Sequence, residues 1–257
     1  MKLRCIVGVA LAFLAGCATL VPVPALRDSS PAAANSAWAR VLAQHVDTMG
    51  RTDYARLARE PADLHQFVGW LAANGPNSSS DLLPTRQHLL AHYLNAYNAL
   101  AMYNVLEAGV PRSLDHYGLV RFFWLRELRI DGEQLSLYSY EKRIRALGEE
   151  RIHFALNCMA AGCPRLPRVP FRAEVLDTDL DRETRHFFGE ARNLQVDHAR
   201  QIVRLTEIMR FFPEDFLDKA PSLIAYANRY LAEKIPDGYA VEFIPYDWTV
   251  AAQPPAP

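Results

Sequence analysis

The chain has 257 residues, of which 50% are hydrophobic and 22% are charged, a composition that is ordinary for a globular protein with a sizeable core. Its formal net charge of −1 provides no basic excess of the kind that a nucleic-acid backbone requires, so we expect no nucleic-acid partner. One large domain is the simplest organisation for this length.

The N-terminus has the features of a signal peptide, because a short positive segment precedes an apolar run over residues 5–15 that is too short to span a membrane. The run leads into LAGC at residues 14–17, which resembles the lipobox of bacterial lipoproteins. This resemblance implies removal of residues 1–16 and acylation of Cys17, whereas the alternative is a plain signal peptide followed by a chance cysteine. Since Ala18 rather than Asp follows, the resemblance implies anchoring to the lipid bilayer of a Gram-negative outer membrane, on its periplasmic face.

The rest of the chain divides into three predicted parts. Residues 17–37 are rich in Ala, Pro and Ser without periodicity, which predicts a flexible tether. A globular domain is predicted over residues 38–250, since no repeat or change of composition interrupts it. A Pro-rich tail follows over residues 251–257.

The first half of the domain is predicted to be helical. Apolar residues recur at three- and four-residue spacing over 39–49, 62–73 and 85–107, and the last of these ends at the stop signal GVP of residues 109–111.

Strand patterns follow. Two alternating runs within residues 122–137 are separated by Asp-Gly, which predicts a hairpin, and the continuous apolar run 152–156 has the length of a buried strand. A second hairpin is predicted over 193–205, after a helix over 172–189. Because helices outnumber strands and the strands occur as hairpins, the fold class is predicted as α+β: a helix-rich single domain with short antiparallel hairpins.

Four segments are similar to the bacterial members of the domain-of-unknown-function family number 547. They are YLNAYNAL (93–100), LSLYSYE (135–141), IHFALNCMAAGCP (152–164) and YDW (246–248), in the family's order. The resemblance implies membership of a family without a settled reaction, so the chemistry must come from the residues.

Polar side chains on the long helix form the first candidate site. At 100° per residue, His92, Asn95 and Asn98 lie on one side of an otherwise apolar helix. Buried polar groups need partners, and the predicted strand offers His153 and Asn157 on one face. Such a cluster either binds a ligand's amide or carbonyl group or locks two core elements together.

The same helix carries two histidines at a spacing that occurs in metal sites. His88 and His92 have i, i+4 spacing, but the glutamate of an H-E-x-x-H motif is missing, so no metal or other cofactor is predicted.

Cys158 and Cys163 form the second candidate site. Once a signal peptide and a lipidated cysteine are set aside, they are the remaining thiols, and in an oxidising compartment they are disulfide candidates. A redox-active pair and a nucleophilic Cys158 are the alternatives. Strand parity places His153 on the opposite face from Cys158, so the base of a nucleophilic Cys158 is either His153 after a local twist or His92.

Two carboxylates in the family-like segments, Glu141 and Asp247, either orient a histidine or are ordinary surface residues.

Two functional hypotheses result. The first is a ligand-binding or envelope-assembly module, whose partner is a small molecule or an envelope protein or peptide. Its candidate binding residues are Asn95, Asn98, Asn157 and His92. The second is a cysteine-dependent hydrolase or acyl transferase acting on peptide or amide bonds, with Cys158 and His153 as its catalytic residues.

Overall fold

The computed structural model describes residues 18–254. The predicted signal peptide (residues 1–16), the lipidation candidate Cys17 and the end of the predicted tail (residues 255–257) lie outside the described residues. The helices are α1 (Pro31–His45), α2 (Tyr54–Arg59), α3 (Ala62–Leu71), α4 (Arg86–Glu107), α5 (Leu114–Tyr117), α6 (Leu137–Arg145), α7 (Leu176–Gly189), α8 (Ile208–Phe211), α9 (Pro213–Leu217) and α10 (Leu223–Asn228). The strands are β1 (Thr19–Leu20), β2 (Arg126–Ile130), β3 (Glu133–Ser136), β4 (Leu194–Asp197), β5 (Ile202–Thr206) and β6 (Ala240–Ile244). No helix within residues 18–254 is both long and apolar enough to cross a membrane.

The predicted fold class is confirmed: the domain is α+β and rich in helices, and both predicted hairpins form. In the first, Asp131 and Gly132 have φ of 52° and 79°, the left-handed values that a two-residue hairpin turn requires. Each hairpin gains a third strand in parallel, because β1 pairs with β2 and β6 pairs with β5. The first hairpin strand is shorter than predicted, since Arg121–Leu125 forms a π-helical turn.

Helix α4 is the central element of the larger core. Thr85 caps its N-terminus by accepting a hydrogen bond from the His88 N–H, so the helix begins where the sequence predicts. Both α3 and α6 pack against it, and its buried surface includes small residues such as Ala96 and Ala99.

The predicted strand over residues 152–156 is wrong, because Glu150–Phe154 is a 3₁₀ turn. The N–H groups of Ala155 and Leu156 both donate to the Ile152 carbonyl, so local hydrogen bonds replace a strand ladder. A short apolar run does not distinguish a buried strand from a buried helical turn. This turn joins two cores: Ile152 belongs to the one around α4, and Phe154 to a second one formed by α7, β5 and the short helices that follow.

The predicted tether over residues 17–37 also needs correction in its described part. Strand β1 pairs with β2, Val21 is fully buried, and the Tyr103 hydroxyl donates to the Pro22 carbonyl at 2.8 Å. Ser30 then caps α1, which begins at Pro31. Backbone pairing and burial therefore bring this segment onto the domain.

Residues 246–253, the C-terminal segment, cover the loop of residues 158–163, the thiol loop. Backbone hydrogen bonds run from Ala161 N–H to the Thr249 carbonyl (2.7 Å) and from Gly162 N–H to the Asp247 carbonyl (2.8 Å). The predicted tail starts within this segment, and its residue Gln253 donates from its backbone N–H to the Thr52 carbonyl.

We predict that Gly162→Ala destabilises the protein by about 1–3 kcal/mol, because a Cβ there would lie 2.9 Å from the Asp247 backbone nitrogen and 3.0 Å from the Tyr246 ring. Gly189→Ala, at a position with open space around its Cβ, is the matched control and should change the stability by less than about 1 kcal/mol. Urea unfolding measures both. Equal stabilities for the two variants would contradict the tight contact between loop and segment.

Candidate functional site

A cleft of about 360 Å³ opens where the thiol loop, the 3₁₀ turn, α6, α8 and the C-terminal segment meet. Its walls are mainly aromatic and include Phe123, Trp124, Tyr138, Phe211, Phe212 and Trp248. Its polar lining residues, the polar cluster, are Tyr97, Glu141, His153, Cys158, Cys163 and Tyr246. Trp124, Tyr138 and Phe211 are 40–45% exposed, whereas the two cysteines are buried, so the aromatic residues form the outer rim and the thiols lie at the inner end.

The two cysteines are in contact but unbonded. Their Sγ atoms are 3.1 Å apart, about 1 Å beyond a disulfide bond, so the predicted bridge is not formed in this structure. The Cys158 backbone N–H donates to the Cys163 Sγ at 3.1 Å, and the Tyr246 hydroxyl lies 2.9 Å from the same sulfur. Tyr246 is farther from the Cys158 Sγ, at 3.6 Å.

This geometry makes the two thiols unequal. Burial alone would raise the pKa of Cys163, but hydrogen bonds from Cys158, from Tyr246 and from the Ala160 backbone outweigh it and lower that pKa. The pKa of Cys158 is raised well above its usual value, first by the hydrogen bond to Cys163 and then by burial. The hydrogen bonds therefore favour Cys163 over the predicted Cys158 as the thiolate, and a thiolate is the nucleophilic form.

His153 lies in the same cleft and is held by a carboxylate. Its Nε2 is 2.7 Å from Asp215 Oδ2, and its ring stacks on Phe212 with 4.4 Å between centroids. Arg145 also donates a hydrogen bond to Asp215. Its guanidinium group lies over the Phe212 ring, with 4.2 Å between the guanidinium carbon and the ring centroid. The hydrogen bond with His153, helped by Arg145, lowers the pKa of Asp215, so this carboxyl stays ionised and fixes the imidazole.

Glu141 points into the protein, although Lys142 and Arg143 beside it in the sequence suggest an exposed turn. Its Oε2 accepts a hydrogen bond from the Tyr97 hydroxyl at 3.0 Å. Burial raises the pKa of Glu141 despite that hydrogen bond and the nearby His153. By contrast, the exposed carboxylate of Asp247 accepts a hydrogen bond from the Thr249 N–H and so fixes the backbone of the C-terminal segment.

The side chains of the predicted asparagine residues form hydrogen bonds with backbone groups and do not line the cleft. Asn98 donates to the Ala155 carbonyl at 3.1 Å and accepts from the Asn157 N–H at 2.8 Å. Asn157 in turn donates to the Pro164 carbonyl and accepts from the Met159 N–H. Asn95 accepts from the Trp38 indole and is paired with the Phe171 backbone through both amide atoms. This geometry agrees with the alternative in which the polar side chains lock two core elements together.

His92 is separate from the cleft and from the thiols. It lies between the rings of Trp70 and Tyr93, and its Nε2 is buried without a hydrogen-bond partner among the described residues. Burial lowers its pKa to about 4. His88 is at the helix start, where its Nδ1 contacts Thr85, so the two histidines do not converge as a ligand pair.

The sequence patterns missed Asp215, Tyr97 and Tyr246 as site residues. Asp215 meets His153 from 62 residues farther along the chain, with no local motif to connect them. Tyr246 belongs to the family-like YDW segment, in which the sequence suggests the neighbouring carboxylate of Asp247 as the candidate.

Comparisons with known proteins gave a family match and no individual relative. A search of curated proteins and a search of solved structures each returned no match. A family model described as "Protein of unknown function, DUF547" matches residues 82–188, which include α4, the first hairpin, the thiol loop and almost all of α7. The predicted family resemblance is thereby confirmed. Over residues 82–188 the chain is therefore similar to the DUF547 family.

Proposed function

We propose that the cleft binds a small, uncharged and mostly apolar ligand whose single polar group meets the polar cluster. The observation that carries this proposal is the aromatic-walled cleft itself, with its polar groups gathered at the inner end. Its volume of about 360 Å³ falls in the range of small-molecule sites, which combine apolar walls with a few polar groups.

The charges around the cleft favour a neutral ligand. Among the residues that the structure describes, no Lys or Arg lines the cleft, so an anionic group would find neither of these cationic partners there. Glu141 is the one carboxylate among the described lining residues, and burial raises its pKa, which disfavours its charged form. A hydroxyl, amide or ester group fits such donors and acceptors, because burying an unpaired charge costs more than burying a hydrogen-bonded neutral group.

The exposed rim supports the same proposal. The rings of Trp124 and Tyr138 stack with centroids 4.7 Å apart while both residues remain about half exposed. Phe211 stands at another part of the rim, near Trp248. Covering exposed aromatic side chains with an apolar ligand removes them from water and lowers the free energy. A ring or a short acyl chain therefore suits this entrance.

We predict that Phe211→Ala weakens binding of the neutral probe N-phenyl-1-naphthylamine by about three- to tenfold, since it removes one aromatic wall. Leu217→Ala is the matched control, because Leu217 is 48% exposed and does not line the cleft. Fluorescence titration measures both. The anionic analogue 1-anilinonaphthalene-8-sulfonate should bind more weakly to the wild type, and tighter binding of the anion would contradict the proposed charge preference.

We also propose that the binding domain is carried by an outer-membrane lipoprotein on the periplasmic face. The support is the LAGC segment and the apolar run before it. We predict that cells fed a radiolabelled palmitate label the full chain and that Cys17→Ser abolishes the label, whereas Cys5→Ser leaves it unchanged. Labelling that survives Cys17→Ser would contradict acylation at this position.

A second candidate function is cysteine-dependent acyl transfer or hydrolysis. The observation that favours it is the presence of the hydrogen-bonded Cys163 and the carboxylate-held His153 in one cleft. In such enzymes a histidine accepts the proton of the nucleophile, and a carboxylate keeps the imidazole in the right tautomer. Asp215 has the position of that carboxylate and is therefore a positioning residue.

We predict that Asp215→Asn slows the acylation burst with p-nitrophenyl butyrate by about 10- to 100-fold, because the amide no longer fixes the His153 tautomer. Asp218→Asn makes the same charge change at an exposed position in the same region and should leave the burst unchanged. Stopped-flow absorbance of p-nitrophenolate measures the rate. If the wild type shows no burst, acyl transfer is ruled out while the ligand-binding proposal stands.

A further inference from the structure

We propose that Cys163 and Cys158 form a dithiol that exchanges with small apolar disulfides entering the cleft, in which Cys163 attacks and Cys158 resolves. This activity goes beyond ligand binding and acyl transfer. It shares the cleft with the proposed function but does not depend on the His153–Asp215 pair.

The separation of the sulfurs is the first argument. At 3.1 Å they are in contact, and forming a disulfide shortens that distance by about 1 Å. Resolution of a mixed disulfide on Cys163 by Cys158 is therefore an intramolecular step between groups that are already neighbours, which is the arrangement that makes such steps fast.

The rigidity of the thiol loop is the second argument. Met159, next to Cys158, has a φ of 71°, a left-handed backbone conformation that residues other than glycine rarely adopt. Its N–H donates to the Asn157 carboxamide oxygen. On the other side of the loop, Ala161 and Gly162 donate to the C-terminal segment. The loop thus keeps its two sulfurs together through backbone contacts on both sides.

The unequal hydrogen bonding of the sulfurs is the third argument, because it assigns the two roles. The Cys163 Sγ receives the Cys158 N–H at 3.1 Å and the Tyr246 hydroxyl at 2.9 Å, and both donors stabilise a thiolate. Cys158 has Tyr246 only at 3.6 Å, so when Cys163 is the thiolate, Cys158 keeps its proton and can donate it across the 3.1 Å between the sulfurs. Thiol–disulfide exchange begins with a thiolate, so Cys163 is the attacking residue.

The cleft then defines the substrate class. A disulfide would reach the sulfurs past the aromatic rim of Trp124, Tyr138 and Phe211, and within residues 18–254 no Lys or Arg lines the cleft to hold a charged substituent. Aromatic or short aliphatic disulfides fit this path. Oxidised glutathione, which carries several charges, does not.

The exchange balances in two steps. The Cys163 thiolate attacks one sulfur of RSSR, the S–S bond of the substrate breaks, and RS⁻ leaves as the mixed disulfide Cys163–S–SR forms. Cys158 then gives up its proton to the released thiolate and attacks the Cys163 sulfur, which expels the second RS⁻. Two electrons pass from the dithiol to the substrate, giving two RSH and a Cys158–Cys163 disulfide once a proton is taken from water. An external thiol reduces that disulfide again.

The test uses 4,4′-dithiodipyridine and the full chain carrying Cys5→Ser and Cys17→Ser, so that only the two thiols of interest remain. The reduced protein should release two thiopyridone molecules, and mass spectrometry should show a product lighter by two hydrogens without a pyridylthio adduct. With Cys158→Ser added, one thiopyridone is released and a stable adduct stays on Cys163. With Cys163→Ser added, the reaction of Cys158 should be at least about tenfold slower.

Tyr246→Phe provides a second readout that keeps the ring and both cysteines. Loss of the hydroxyl donor destabilises the Cys163 thiolate, so its pKa rises and the midpoint of the rate–pH profile moves to higher pH. Near-UV circular dichroism of each variant verifies the fold. Two stable adducts without a bridge, a first adduct on Cys158, an unmoved pH profile, or oxidised glutathione reacting as fast as dithiodipyridine would each overturn the proposal. Probe binding that depends on Phe211 is measured separately, so either proposal can fail alone.

Discussion

The hydrogen bonds between Asn98 and the backbone on either side of Leu156 are the constraint on which the site depends. One carboxamide of α4 accepts from the Asn157 N–H and donates to the Ala155 carbonyl, so it fixes the chain just after the 3₁₀ turn. His153 lies immediately before this point and Cys158 immediately after it. Because both amide groups are buried, their hydrogen bonds are made with the protein or not at all, which makes the bend well defined.

The cleft occupies the junction between the two cores, and this explains its composition. Residues of the larger core contribute Tyr97 and Phe123, whereas the second core contributes Ile208 and Phe212. Along this junction the aromatic residues Trp124, Tyr138 and Phe211 remain partly exposed. Sites at such junctions are common because two separately packed bodies supply rigid walls while leaving a concave surface between them.

How much the sequence could predict depended on the range of the interactions. Helix α4 and the Asp131–Gly132 hairpin follow from local signals: a capping threonine, apolar periodicity and a turn dipeptide. The strand predicted over 152–156 is wrong because the run is buried on all sides. It therefore lacks the hydrophobic periodicity that distinguishes a strand from a helical turn. The role of Cys163 could not be inferred locally either, since its phenolic donor comes from Tyr246 and the carboxylate beside His153 comes from α9.

Tyr246 reaches Cys163 across 83 residues of sequence, and this distance has a consequence for the order of folding. Contacts between such distant residues form after local elements, because the entropy of closing the loop must be overcome first. During folding the thiol loop therefore exists for a time without its tyrosine and without the backbone cover of the C-terminal segment. In that interval the two cysteines are ordinary thiols, equally open to oxidation or alkylation. The difference in hydrogen bonding between the two sulfurs is a property that the completed fold confers, because Tyr246 is absent from the isolated loop.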